Sequence, residues 1–117
     1  VYARVLADLQ LQGKEAGPFL ADALTAKPLE VRRQAARVLA TMQLKEESVL
    51  PGLTQALRDP DRDVRRSTLQ ALLPLAVGAQ KAVPNLLANL SDKDAEIRAF
   101  ALTVLREIPI ESPAIVK

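Results

Sequence analysis

The chain has 117 residues, with 16 basic and 14 acidic side chains and a formal charge of only +2, too little to imply a polyanionic partner. Its apolar half is Leu, Ala and Val rather than aromatic, Tyr2, Phe19 and Phe100 being the only aromatic residues, and it contains neither cysteine nor histidine, which excludes disulfides, thiolate metal sites and imidazole acid–base chemistry. No apolar run approaches bilayer-spanning length, no basic-then-apolar leader opens the chain, and no alternation of β-branched residues supports a sheet.

Residues 1–12 open with VYARVLADL, whose Leu6 and Leu9 have helical spacing. From 13 to 45 a helix containing Pro18, Leu20, Ala23 and Leu24 is followed by an Ala26-Lys27-Pro28 turn. A second helix then carries Val31, Ala35, Val38, Leu39 and Met42 on one stripe. Residues 46–78 repeat the pattern. Pro51 suits a first helical turn, where a missing N–H costs nothing, and Leu53, Ala56 and Leu57 form its stripe. Asp59-Pro60-Asp61 is turn chemistry ending that helix near Arg58, and Asp61 or Asp63 complements the positive end of the next one. Val64, Thr68, Ala71, Leu72 and Leu75 are its buried stripe, and Pro74 is expected to bend or end it early. Residues 79–109 give a third copy, through Pro84, Leu86 and Leu90, then Ile97, Ala101, Val104, Leu105 and Ile108. Residues 110–117 read as the start of another first helix.

Pro18, Pro51 and Pro84 are spaced by 33, as are Val31, Val64 and Ile97, and Leu6, Leu39, Leu72 and Leu105. A fixed period of this length marks stacked repeats, each burying its apolar face against its neighbours. The expected fold is all-α, a right-handed α-solenoid (superhelix) of stacked antiparallel helix pairs, with seven main helices and a C-terminal turn. Neither end carries the polar outer face of a capping repeat, so 1–117 is expected to be a segment of a longer array, the competing reading being a small domain whose partial units serve as caps or dimer contacts.

Among helical repeats the histidine of the ankyrin signature and the tryptophan of the tetratricopeptide signature are missing. The stretches LEVRRQAARVLATM, DPDRDVRRSTLQALLPL and DKDAEIRAFALTVLREI instead resemble HEAT repeats, in particular the short type of phycobilin-lyase-like proteins, over essentially the whole chain. That resemblance implies a turn Asp and an early second-helix Arg linking adjacent units in a ladder, here Asp59 with Arg65 and Asp92 with Arg98. Ala26, standing where Asp is expected before Arg32, implies a softer first junction. The resemblance also implies that second helices line a concave surface.

Removing the buried stripes leaves Arg33, Gln34, Arg37, Thr41, Arg66, Ser67, Gln70, Phe100, Thr103 and Glu107 facing outward. Phe100 occupies the column of Gln34 and Ser67, so the repeat does not demand an aromatic there. It is either an interface anchor or packed on an adjoining unit. The carboxylate clusters Asp59/Asp61/Asp63 and Asp92/Asp94/Glu96 recur at equivalent turns and read as helix caps. The first lacks the glycine and distal glutamate of a calcium loop. No catalytic residue, metal or cofactor is expected. The expected activity is protein–protein scaffolding through Arg33, Gln34, Arg37, Arg66, Ser67, Gln70, Phe100 and Thr103. Nucleic-acid backbone binding through Arg4, Arg33, Arg37 and Arg66 is the disfavoured alternative, and an accessory role beside a bilin lyase-like enzyme is one suggested by the resemblance alone.

Overall fold

A computed structural model of the chain describes residues 16–42 and 47–109, and every regular element among them is helical. The helices are α1 (Ala16–Ala23), α2 (Leu29–Met42), α3 (Leu50–Ala56), α4 (Arg62–Leu72), α5 (Val83–Asn89) and α6 (Ala95–Glu107). Three 3-10 turns, Glu47–Val49, Leu73–Gly78 and Gln80–Ala82, connect them. The expected N-terminal helix over 1–12 and the C-terminal turn over 110–117 lie outside the described residues.

The helices fall into three pairs, α1/α2, α3/α4 and α5/α6. Second helices contact each other in sequence order, α2 on α4 and α4 on α6, and the first helices α1 and α3 pack together as well. The molecule is correspondingly drawn out, 48 × 29 × 19 Å. One apolar core runs through the stack. Leu20, Leu53 and Leu86 from the first helices are fully buried, as are Val64, Leu72, Ile97 and Val104 from the second. The column Val31, Val64, Ile97 changes along the stack, from half-buried at Val31 to fully buried at Val64 and Ile97.

Local chemistry sets the helix ends. Asp61 is extended (φ −89°, ψ 131°) and its carboxylate accepts from the Val64 N–H, capping α4; Asp94 (φ −91°, ψ 121°) does the same for α6 through the Glu96 N–H. Pro28 occupies this column at α2, so that helix starts without a side-chain cap of this kind, its Pro28 carbonyl accepting from the Val31 and Arg32 N–H groups. Pro51 and Pro84 sit in the first turns of α3 and α5. Pro74 ends α4 early: the helix stops at Leu72 and the chain continues as the tighter Leu73–Gly78 turn, which packs on α6 in its place.

The junctions between first helices differ. Gly52 in α3 lies so close to α1 that a Cβ there would stand 3.1 Å from Ala21 Cβ and 3.2 Å from the Ala21 carbonyl oxygen. Asn85 occupies the same column in α5. Its amide donates across the junction to the Thr54 carbonyl at 2.7 Å, and Asn89 donates to the Leu57 carbonyl at 3.0 Å. Thr54 lies in the last turn of α3 and Leu57 is its C-cap, where carbonyls lack an intrahelical partner, so the two asparagines cap the neighbouring pair's helix.

Candidate functional site

The polar ridge along the turns decides which arginines remain available to a partner. Arg32 Nε pairs with Asp59 Oδ2 at 2.8 Å while its Nη1 donates to the Ala26 and Lys27 carbonyls at 3.0 and 2.8 Å. Arg65 repeats this one step on: Nε lies 2.8 Å from Asp92 Oδ2, Nη2 donates to Asp92 Oδ1, and Nη1 donates to the Asp59 and Pro60 carbonyls at 2.8 and 3.0 Å. Each guanidinium thus holds its own turn by the backbone and grips the next pair's turn by the carboxylate. The other oxygen of each aspartate accepts from its own turn, Asp59 Oδ1 from the Asp61 N–H and Asp92 Oδ1 from the Asp94 N–H, both at 2.9 Å.

The carboxylate pairing differs from the one that the family resemblance implied. Asp59 with Arg65 and Asp92 with Arg98, six residues apart, meet through the aspartate's backbone carbonyl. The carboxylate partners are 27 residues apart. The expected weakness at Ala26 is also corrected. Arg32 uses the Ala26 carbonyl, which any residue supplies, and Asp59 provides the charge, so the ladder between the first two pairs is intact.

A second, more exposed rank runs beside it. Arg33 donates to both carboxylate oxygens of Asp61, at 3.2 and 2.9 Å, and reaches Asp63 at 3.8 Å. Arg66 pairs with Glu96 at 3.1 Å, and Arg62 bridges Asp94, Glu96 and its neighbour Asp63. The Arg33 hydrogen bond is the main cause holding Asp61 below its ordinary pKa; Arg62 does the same for Asp94, and Arg66, then Arg62, for Glu96. Arg33 and Arg62 are raised in turn by those carboxylates. Arg62 was missed in the sequence because its column holds Leu29 and Ala95, so no repetition marks it.

Arg33 and Arg66 therefore spend their charge on the neighbouring pair. Arg37 is exposed and has no ion pair among the described residues. Gln70 and Thr103, in its column, are also exposed. Gln34 is half-buried and donates to Glu30, Ser67 is half-buried, and Thr41 and Glu107 are exposed. Phe100 is half-buried, part of its ring packed on the core. The rest lines a shallow apolar groove of about 410 Å³ with Leu73, Ala99, Thr103 and Glu96. Leu73 was not among the expected outward residues. The 3-10 turn forced by Pro74 carries it to this groove, and the corresponding residues one pair earlier, Ala40 and Ser67, are small.

Among the described residues no helix is long and apolar enough to cross a membrane, and no cluster of His, Cys, Asp or Glu could hold a metal ion. Compared with known proteins, the family model described as HEAT repeats matches residues 1–73 and 50–115. Comparison with curated proteins gives no match.

Proposed function

Because the chain belongs to the HEAT-repeat family, whose members commonly act as non-enzymatic protein-interaction scaffolds, we propose that it binds a partner protein along its second-helix face. The observation that supports this reading is the groove between the Leu73 turn and α6. There two large apolar side chains, Leu73 and Phe100, stand where the preceding junction has Ala40 and Ser67, on a face otherwise lined with Gln70, Thr103 and Arg37. An apolar anchor site within a polar rim is the usual make-up of an interface hot spot. Gln34 and Ser67 extend the face toward the first pair, while Arg33 and Arg66 border it as members of the ladder.

The competing reading, a grip on a nucleic-acid backbone, loses support from the ion pairs. Of the four arginines it needs, Arg33 and Arg66 are already matched by carboxylates of the next pair, and Arg4 lies outside the described residues. Phosphate contacts would have to compete with those pairs. An accessory role toward a bilin-handling enzyme gains no supporting feature from the groove.

The test is capture from lysate of the source cells, with cross-linking and mass spectrometry. Phe100→Ser and Leu73→Ala install the small residues of the preceding junction and are expected to leave the circular dichroism unchanged. Combined with Arg37→Ala and Gln70→Ala they should remove the partner. A partner retained by this quadruple variant refutes the face. A retarded nucleic-acid band at low salt, lost in an Arg37→Ala variant, would favour the rival reading.

A further inference from the structure

A second concavity, sharing no residue with the Leu73–Phe100 groove, lies where the second and third pairs begin. It is a cleft of about 580 Å³ between the start of α3 and the Leu73–Gly78 and Gln80–Ala82 turns, within the size range of small-molecule sites. Leu50, Pro51 and Ala82 give it apolar walls, and Thr54, whose hydroxyl makes no hydrogen bond among the described residues, also lines it. Two opposite charges, Glu47 and Lys81, complete the lining. Both are exposed, and neither has an ion pair among the described residues, with the other or with any third group. Neither charge belongs to the repeat: one period on from Glu47 stands Gln80, and one period back from Lys81 stands Ser48. Gly78 departs from its column as well, where Lys45 and Glu111 stand, and it makes room for the carboxylate: a Cβ there would lie 3.1 Å from Glu47 Oε2.

We propose that this cleft binds a small zwitterion of the amino-acid type, free or as a short peptide with both termini ionised. Glu47 takes the ammonium and Lys81 the carboxylate, each as a charge-assisted hydrogen bond. Leu50, Pro51 and Ala82 cover an aliphatic side chain, and the Thr54 hydroxyl serves either polar end. Charge complementarity selects this class. A simple anion is drawn to Lys81 but repelled by Glu47, and a simple cation the reverse, so only a ligand carrying both signs gains from both walls. The site is independent of the second-helix face, since its residues come from α3 and the 3-10 turns and not from α2, α4 or α6.

The test titrates L-leucine and L-leucyl-L-leucine into the full chain, read by amide NMR shifts and by calorimetry. Both probes should move the Gly78, Gln80 and Lys81 amides. Leucinamide, which lacks the carboxylate, and N-acetylleucine, which lacks the ammonium, should each bind about fivefold or more weakly than leucine. Glu47→Gln should bring leucine down to the affinity of N-acetylleucine, and Lys81→Gln should bring it down to that of leucinamide. Both side chains are exposed, so the circular dichroism should not change. Gly78→Ala should weaken leucine binding while leaving the urea midpoint unchanged, because its methyl displaces only the movable tip of Glu47. Tighter binding of the dipeptide assigns the site to peptides, and tighter binding of leucine assigns it to free amino acids; either supports the proposal. No shift of these amides at about 10 mM of either probe overturns it, as do blocked forms that bind as tightly as leucine.

Discussion

Asp92→Ala should be among the most damaging single changes to an ionic group in this chain. Arg65 is 8% exposed and its Nε lies 2.8 Å from an Asp92 carboxylate oxygen, so removing the carboxylate leaves a guanidinium charge with little access to water. Breaking a buried pair from one side costs about 3–5 kcal/mol. Arg65 keeps the Asp59 and Pro60 carbonyls, which places the loss near the lower end, about 3 kcal/mol, and the turn bond from the Asp94 N–H adds about 1 kcal/mol. Asp92→Asn separates the two contributions, because its side-chain oxygen still accepts from the Asp94 N–H while the charge is gone. Asp59→Ala breaks the equivalent pair where the arginine side chain is 18% exposed, against 10% for Arg65, so water rehydrates it better and the cost should be about 2 kcal/mol. Urea denaturation followed by circular dichroism at 222 nm reads all three. An Asp92→Ala cost below about 1 kcal/mol, or one smaller than that of Asp59→Ala, would refute the reasoning that burial of the arginine sets the scale.

Gly52→Ala should destabilise by about 1–2 kcal/mol, because the new methyl meets the Ala21 backbone and not a movable side-chain tip; a neutral or stabilising result in the same urea assay would show that the first junction opens freely. Asn89→Ala should cost about 1–2 kcal/mol by leaving the buried Leu57 carbonyl unpaired, and amide exchange near the end of α3 should speed up with it. Asp61, Asp94 and Glu96 titrate below their ordinary values of 3.8, 3.8 and 4.5, so the stability they contribute is present above those values and is lost as the pH falls through the lower folded-state ones. The urea midpoint should therefore hold from neutral pH to about 5 and drop below about 4, with a shallower acid limb in Arg62→Ala/Arg66→Ala; an unchanged limb would assign the acid sensitivity to other carboxyls.

Much of the architecture was legible because a repeat writes the same physics several times. The Val31/Val64/Ile97 and Leu39/Leu72/Leu105 columns gave the core stripes, the Asp-x-Asp turns gave the α4 and α6 caps, and Pro74 gave the early end of α4. What repetition cannot show is which copy a side chain reaches. Asp59 lies six positions from Arg65 in sequence, but its carboxylate faces Arg32 of the preceding pair, because α2 and α4 lie side by side and bring the later turn onto the earlier arginine. Residues that depart from their columns were harder still. Gly52 and Asn85 hold one column and join neighbouring first helices by opposite means, close backbone approach and an amide bridge. Asn89 within an otherwise apolar stripe was the one available signal. Phe100 was visible as an oddity, but its groove depends on Leu73, whose position follows from the turn that Pro74 imposes.

The stacking register rests on one relation, an arginine gripping the carboxylate of the pair that follows its own. Double-mutant cycles measure it directly. Arg65→Ala combined with Asp92→Ala should give a coupling of about 1.5–3 kcal/mol, whereas Arg65→Ala with Asp59→Ala should be additive within about 0.5 kcal/mol, since Asp59 meets Arg65 through a carbonyl that alanine retains. Strong coupling of Arg65 to Asp59 and none to Asp92 would contradict the register and the stack built on it.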